Sequence, residues 1–311
     1  MSTQGEDVED LYFHHSQSKG LAVLIINMGE NDQRRGADKD GDLLKEMFSH
    51  LGFQTLVFQN KSSNDLLREL KNVSMEQLSY IDCFAVAIST HGREAQTKEK
   101  VMEDVIVTAD GKIKTKVILE MFADHKCPQL INKPRLFFIQ ACRGEQMDSG
   151  CPMILQKVAM PEQAERAEDQ ADVGTESHPP PKVQNRNVQV SGAGVQEEGA
   201  RALATASADD EDEDAPVRPP VCFKDFIVMN ATPPGYFAFR NPSKGSLFLR
   251  CLKEGICKYA HSMSLFRTLT QVSGLVAKEE SYTPSTPHLD RKKQVPVICS
   301  MLTKDIYFRP Q

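Results

Sequence analysis

The sequence predicts an α/β fold: a mainly parallel central sheet with helices on both faces, a three-layer sandwich. Three observations carry that prediction. Short, unbroken apolar runs rich in β-branched residues recur along the chain, the pattern of strands buried on both faces. They alternate with stretches whose apolar residues fall at helical spacing, which implies right-handed crossovers between parallel strands. A compositional break then divides the ordered sequence, and the part beyond it holds too few strands to close a sheet of its own.

Leu21–Asn27 (LAVLIIN) reads as the first buried strand. Asp40–Leu51 places Leu43, Leu44, Met47, Phe48 and Leu51 on one helical face, and Gly52 stops it. A strand over Gln54–Phe58, a helix around Asn64–Val73 and a strand over Phe84–Thr90 follow. Val105–Lys112 reads as a small hairpin turning at Asp110-Gly111. A helix over Lys116–Ala123 precedes the strand Arg135–Gln140. From Ile139 to Cys222 there is no Phe or Tyr, and Ala, Glu, Asp, Gln, Pro and Gly dominate. Such a stretch cannot bury enough apolar surface to offset its ordering entropy, so residues 145–220 are expected to be a disordered linker. Its last part holds six consecutive acids, Asp209–Asp214. Order resumes with a strand at Asp225–Asn230, helices over Ser246–Ala260 and Ser262–Val276, and a strand over Gln294–Met301. The segment 221–311 is therefore expected to complete the sheet begun by 11–144, one domain carrying a long insertion.

Composition narrows the function. The chain has 311 residues, 40% hydrophobic and 26% charged, with a net charge of −6, which gives no reason to expect nucleic acid or an anionic membrane as partner. Eight cysteines without CxxC spacing indicate neither zinc nor a disulfide framework, and no metal or cofactor is expected. The polar, acidic N-terminus lacks a signal-peptide core, and no apolar run is long enough to span a bilayer. The expected setting is cytoplasmic and reducing, where a thiol stays free.

Ligands of open parallel sheets bind beyond the carboxyl ends of the strands. Arg34 and Arg35 follow the first strand, His91-Gly92 follows Ser89-Thr90, and Cys142 follows Phe137–Gln140, so distant chain positions converge on one rim. A free thiol with a pKa of about 8.5 is only slightly ionised at neutral pH, and an imidazole that shares its proton makes it a nucleophile. His91 suits that role and would then protonate a departing amine. The backbone N–H of Cys142 and that of Gly92, which approaches without a Cβ, would hold an oxyanion, worth about 3–4 kcal/mol per donor.

The run Gln140-Ala141-Cys142-Arg143-Gly144, with His91 51 residues upstream, resembles the local signature of the caspases. Further matching pieces are Arg34-Arg35-Gly36-Ala37-Asp38, Ser89-Thr90-His91-Gly92, Gly235–Asn241 (GYFAFRN) and Val297–Phe308 (VICSMLTKDIYF). The resemblance implies a caspase-like sandwich built from a large-subunit segment, 11–144, and a small-subunit segment, 221–311. It makes Cys142 the nucleophile, His91 its partner, and Gly92 and Cys142 the oxyanion donors. Arg34, Gln140 and Arg240 would line the pocket for the side chain before the cut. Two guanidiniums grip a carboxylate in bidentate fashion, so cleavage is expected after Asp. The family places Trp residues where this Trp-less chain has Phe239 and Leu247. Phe237, Phe239 and Leu247 are then expected as apolar walls of the outer pockets, with Asn241 contacting the peptide backbone or a distal acid. Arg143 is expected to steady the loop after Cys142.

By the same resemblance the chain is a zymogen cut after Asp by an upstream protease, and it pairs as a homodimer of large-small units. Protein substrates and inhibitor proteins are its expected partners. Processing is expected in the linker at Asp214, Asp210 or Asp172, with Asp214-Ala215 favoured for its small following residue, and at Asp10 to release a short propeptide over 1–10. The short stretch before the first strand leaves no room for a recruitment domain, so an executioner of apoptosis is expected rather than an initiator. The alternatives are a weak or inactive homologue acting as regulator or scaffold, and an initiator or inflammatory type. A metacaspase cutting after Lys or Arg needs an acidic pocket, which Arg34 and Arg240 contradict. A nucleotide-binding α/β protein needs a glycine-rich phosphate loop after the first strand, and none is present.

Overall fold

The computed structural model of the chain describes residues 11–13, 19–29, 34–150 and 222–308, together with the backbone of 170–171. Six strands form the central sheet: β1 (Gly20–Ile26), β2 (Phe53–Gln59), β3 (Cys83–Ser89), β7 (Arg135–Gln140), β9 (Phe226–Asn230) and β12 (Val297–Ser300). Their order is β12-β9-β7-β3-β1-β2, parallel throughout except for β12, which runs antiparallel to β9. Segment 222–308 thus contributes β9 and β12 to the sheet started by the first segment.

Strand alternation explains the two cores. Ala22, Leu24 and Ile26 of β1, Ala85 and Ala87 of β3 and Leu136 and Phe138 of β7 face one layer. That layer consists of α1 (Ala37–His50), α4 (Leu247–Tyr259) and α5 (Leu265–Lys278). Leu21, Val23 and Ile25, with Phe84, Val86, Ile88, Phe137 and Ile139, face the other. There α2 (Ser63–Met75) and α3 (Thr115–Met121) pack. The apolar runs are continuous because both faces are buried.

Three elements were not expected from sequence. The charged stretch after His91 adds a strand, β4 (Gly92–Gln96), to the hairpin expected over Val105–Lys112, which forms as β5 (Met102–Val107) and β6 (Lys112–Lys114). Its β4 is mostly polar, so period-two apolar alternation never marks it. Ahead of α4, β10 (Phe239–Asn241) and β11 (Gly245–Ser246) form a tight antiparallel pair. A two-residue strand, β8 (Gln170–Ala171), adds to β10 from within the linker.

A buried polar knot ties the segments together. Arg135 is fully buried, donates to Asp124 at 2.6 Å, lies 3.5 Å from Asp225, and stacks 4.8 Å over the Phe226 ring. Asp225 also accepts from the Tyr12 hydroxyl at 2.6 Å and Thr303 at 2.7 Å. Burial pushes the Asp225 carboxyl up, but the hydrogen bonds from Tyr12 and Thr303 and the charges of Lys224 and Arg135 outweigh it and hold it below its usual value. Its ionised form therefore favours the folded state. That contribution is complete above the unfolded carboxyl's pKa and is lost as pH falls through the lower folded value. Replacing Asp225 with Ala leaves Arg135 short of a counter-charge, and a loss of about 3 kcal/mol is expected in urea unfolding at neutral pH, shrinking under acid conditions.

Candidate active site

The parallel register brings the expected residues to one rim. Ile26 pairs with Ser89 and Ser89 with Gln140, so β1, β3 and β7 end level. One step beyond, Thr90 N–H donates to the Gln140 carbonyl at 3.1 Å, carrying His91-Gly92 alongside Ala141-Cys142. A Cβ at Gly92 would lie 2.7 Å from the Cys142 carbonyl oxygen and 2.8 Å from the Ala141 Cβ, so only glycine permits this approach. The backbone of His91 is fixed by the Val107 N–H at 2.9 Å, while the Thr90 hydroxyl donates to the Val107 carbonyl at 2.5 Å.

Cys142 is 3% exposed, and the Ala238 N–H points at its sulfur from 3.3 Å. An N–H aimed at sulfur favours negative charge there, the form that attacks. The loop after it is held as expected of Arg143, whose guanidinium makes a two-pronged pair with Asp104 at 2.9 and 2.7 Å. Its backbone N–H reaches the Tyr236 carbonyl at 3.0 Å, and its carbonyl accepts from Gly235 at 2.9 Å. A Cβ at Gly144 would fall 2.3 Å from the Gly235 backbone, so 142–146 and 235–238 lie in direct contact.

Arg34, Gln140 and Arg240 all lie buried at this rim. Arg34 Nη1 donates to the carbonyls of Asn27 and, at 3.1 Å, Ser89, and Nη2 donates to the Ser89 hydroxyl at 3.2 Å. Arg240 Nε donates to the Arg35 carbonyl at 2.8 Å. Gly36 makes that contact feasible: its φ is 86°, and a Cβ there would stand 2.5 Å from the Asn241 carbonyl. The two arginines therefore belong to one wall built from both segments.

The other expected substrate contacts are placed as follows. Phe239 and Leu247 are buried, Leu247 within the core cluster beneath α1 and α4. Phe237 is half-buried against that cluster. The Asn241 Oδ1 accepts from Ser243 N–H and hydroxyl at 3.0 and 2.9 Å and from Lys244 N–H at 3.1 Å, closing the β10–β11 turn. The Phe239 N–H donates to Gln294 at 2.8 Å, whose amide reaches the Ala231 carbonyl at 2.8 Å, anchoring β10 to the end of β9. On its open side β10 carries β8, with Gln170 opposite Arg240 and Ala171 opposite Phe239. Asp10, Asp172, Asp210 and Asp214 lie outside the described residues.

Sequence reasoning missed Asp40, Ser89, Ser246, Asp104 and the Ala238 N–H. Asp40 carried a signal: with Leu44, Met47 and Phe48 it falls on the buried stripe of α1, where an acid calls for polar partners. No group of three or more His, Cys, Asp or Glu among the described residues is arranged to hold a metal ion, and none of their helices is long and apolar enough to cross a membrane.

The caspase-domain profile matches residues 19–307. The chain belongs to the caspase family. Among known relatives of this caspase, caspase-3 of Mesocricetus auratus is 32% identical over 301 residues, covering 93% of this chain and 83% of that protein. Caspase-7 of Gallus gallus is 29% identical over 294 residues, covering 93% and 77%. The crystal structure of caspase-1 from Spodoptera frugiperda superposes with a TM-score of 0.70 at 24% identity, covering 100% of this chain and 97% of that one, which shows the shared fold. This caspase is an aspartate-specific cysteine protease acting on protein substrates.

Proposed function

We propose that this caspase is an executioner of apoptosis, made as a cytoplasmic single-chain zymogen and activated by cleavage after Asp172. The observation that carries the cleavage site is β8 on β10. Substrates of such sites add as an extended strand to an exposed edge, and the linker's own Gln170–Ala171 backbone occupies that edge. Ala171 stands opposite Phe239, and the residue before Phe239 is Ala238, whose N–H points at the Cys142 sulfur. Asp172 directly follows this strand in the sequence, and it is the acid proposed for the pocket of Arg34, Gln140 and Arg240. Asp214 and Asp210, in the acidic run, remain secondary cuts.

In this reading Cys142 attacks the scissile carbonyl and His91 manages the proton. Gly92 and Cys142 N–H groups receive the oxyanion. Cleavage after Asp10 leaves Leu11–Phe13 in place, because Leu11 bridges to Asp305, Tyr12 bonds to Asp225 and Phe13 is buried against Phe308. An upstream protease makes the first cut, inhibitor proteins act on the mature enzyme, and two large-small units pair through the outer edge of β12.

The test is Asp172→Ala beside Asp214→Ala, each treated with an initiator-type caspase. Wild type and Asp214→Ala are expected to yield a first fragment ending at residue 172 and full peptidase activity. Asp172→Ala is expected to stay uncut there and lose about 100-fold in activity, since its site remains filled by its own chain. Mass spectrometry showing an intact 172–173 bond in fully active enzyme would overturn the assignment.

A further inference from the structure

Asp40 lies behind the carboxylate pocket, yet its hydrogen bonds run to the parts that build it. It sits in the first turn of α1, wholly buried. Its Oδ1 accepts the Ser246 N–H at 2.6 Å, and its Oδ2 accepts the hydroxyls of Ser246 and Ser89, both at 2.6 Å. The Ser89 oxygen in turn accepts from Arg34 Nη2 at 3.2 Å. Ser246 is the strand partner of Arg240 across the β10–β11 pair. The neighbouring Gly245 has a φ of 85°, and a Cβ there would stand 2.8 Å from Asp40 Oδ1, so β11 is pressed against the carboxylate. Burial pushes the Asp40 carboxyl above its usual range, with the Arg34 charge the largest opposing influence. One buried acid therefore links two arginines supplied from opposite sides of the linker.

We infer that Asp40 is the positioning residue of the carboxylate pocket, orienting Arg34 through Ser89 and Arg240 through Ser246. This rests on the reading of Arg34 and Arg240 as the groups that receive the substrate aspartate. The chain of donors has a direction: Arg34 donates to Ser89, and Ser89 donates to Asp40. An asparagine at 40 keeps the shape but presents N–H where an oxygen stood. Both hydroxyls must then turn their protons elsewhere, and the Ser89 oxygen is shared between Arg34 and the new amide. Arg34 is loosened while the fold retains its packing.

The experiment compares the linker-cleaved full chain as wild type, Asp40→Asn, Ser89→Ala and the double variant. Matched peptides ending in Asp or Asn give kcat and KM, and iodoacetamide gives the alkylation rate of Cys142, which needs no carboxylate pocket. For Asp40→Asn the preference for Asp over Asn is expected to fall about 10-fold to 100-fold, almost wholly through KM, with alkylation unchanged. Ser89→Ala is expected to move in the same direction by less, and the double variant to lose less than the product of the two. An unchanged Asp-to-Asn ratio in both single variants would overturn the inference. So would a parallel fall in kcat and alkylation at an unchanged ratio, the mark of a purely structural acid. A wild type that does not itself distinguish Asp from Asn refutes the pocket reading instead, and the inference falls with it.

Discussion

Cys142→Ala is expected to reduce peptide hydrolysis by about 10⁵-fold or more, to the level of residual binding and oxyanion stabilisation. Other described thiols are poor substitutes: burial pushes Cys251 up to about 12, and burial together with Cys299 pushes Cys222 to about 12. Burial also raises Cys83, Cys127 and Cys257. At neutral pH a thiol with a pKa of about 12 is ionised to only about one part in 10⁵. Stoichiometric iodoacetamide at pH 7 is therefore expected to mark Cys142 first and to abolish activity in proportion. His91→Ala is expected to cost about 10³-fold to 10⁴-fold, with the loss partly recovered at alkaline pH, where the thiol ionises without help. Turnover surviving in Cys142→Ala, or inactivation tracking another cysteine by peptide mapping, would remove Cys142 from the role.

The sheet and the rim were legible because both rest on local signals. Runs such as Leu21–Ile26 and Phe84–Ile88 are apolar at every position only when both faces are covered, and parallel register then aligns their ends without further information. His91-Gly92 and Cys142 meet because Ser89 pairs with Gln140. What stayed hidden is long-range and polar. Asp104 finds Arg143, Asp40 finds Ser246, and Arg240 finds the Arg35 carbonyl only after the chain has folded. Strand β4 escaped for a different reason: it has few apolar side chains to alternate, and its pairing is fixed by backbone bonds to β5. Likewise β8 lies in a stretch whose composition argues against order, and the register it takes is supplied by β10.

The carboxylate pocket gives the second large effect. Changing the residue before the scissile bond from Asp to Asn keeps the size and removes the charge that Arg34 and Arg240 are proposed to receive. Both arginines are 1% exposed and Gln140 is 0% exposed, so little solvent reaches them to compensate. Removing a charged partner from buried cations costs far more than losing an exposed pair. A fall in kcat/KM of about 10³-fold or more is expected for Asn, equivalent to about 4 kcal/mol of transition-state binding. Glu keeps the charge but is one methylene longer, and a loss of about 10-fold to 200-fold is expected. The signature of a direct contact is non-additivity: once Arg240→Ala has removed one guanidinium, the further change from Asp to Asn should cost much less. Steady-state kinetics on the four enzyme–peptide combinations give that coupling directly. Equal rates on Asp and Asn in wild type would dismiss the two-arginine grip. A strong Asp preference undiminished in Arg240→Ala would assign the selectivity to Arg34 and Gln140 alone, since those residues follow β1 and end β7 and reach the rim whether or not β10 contributes.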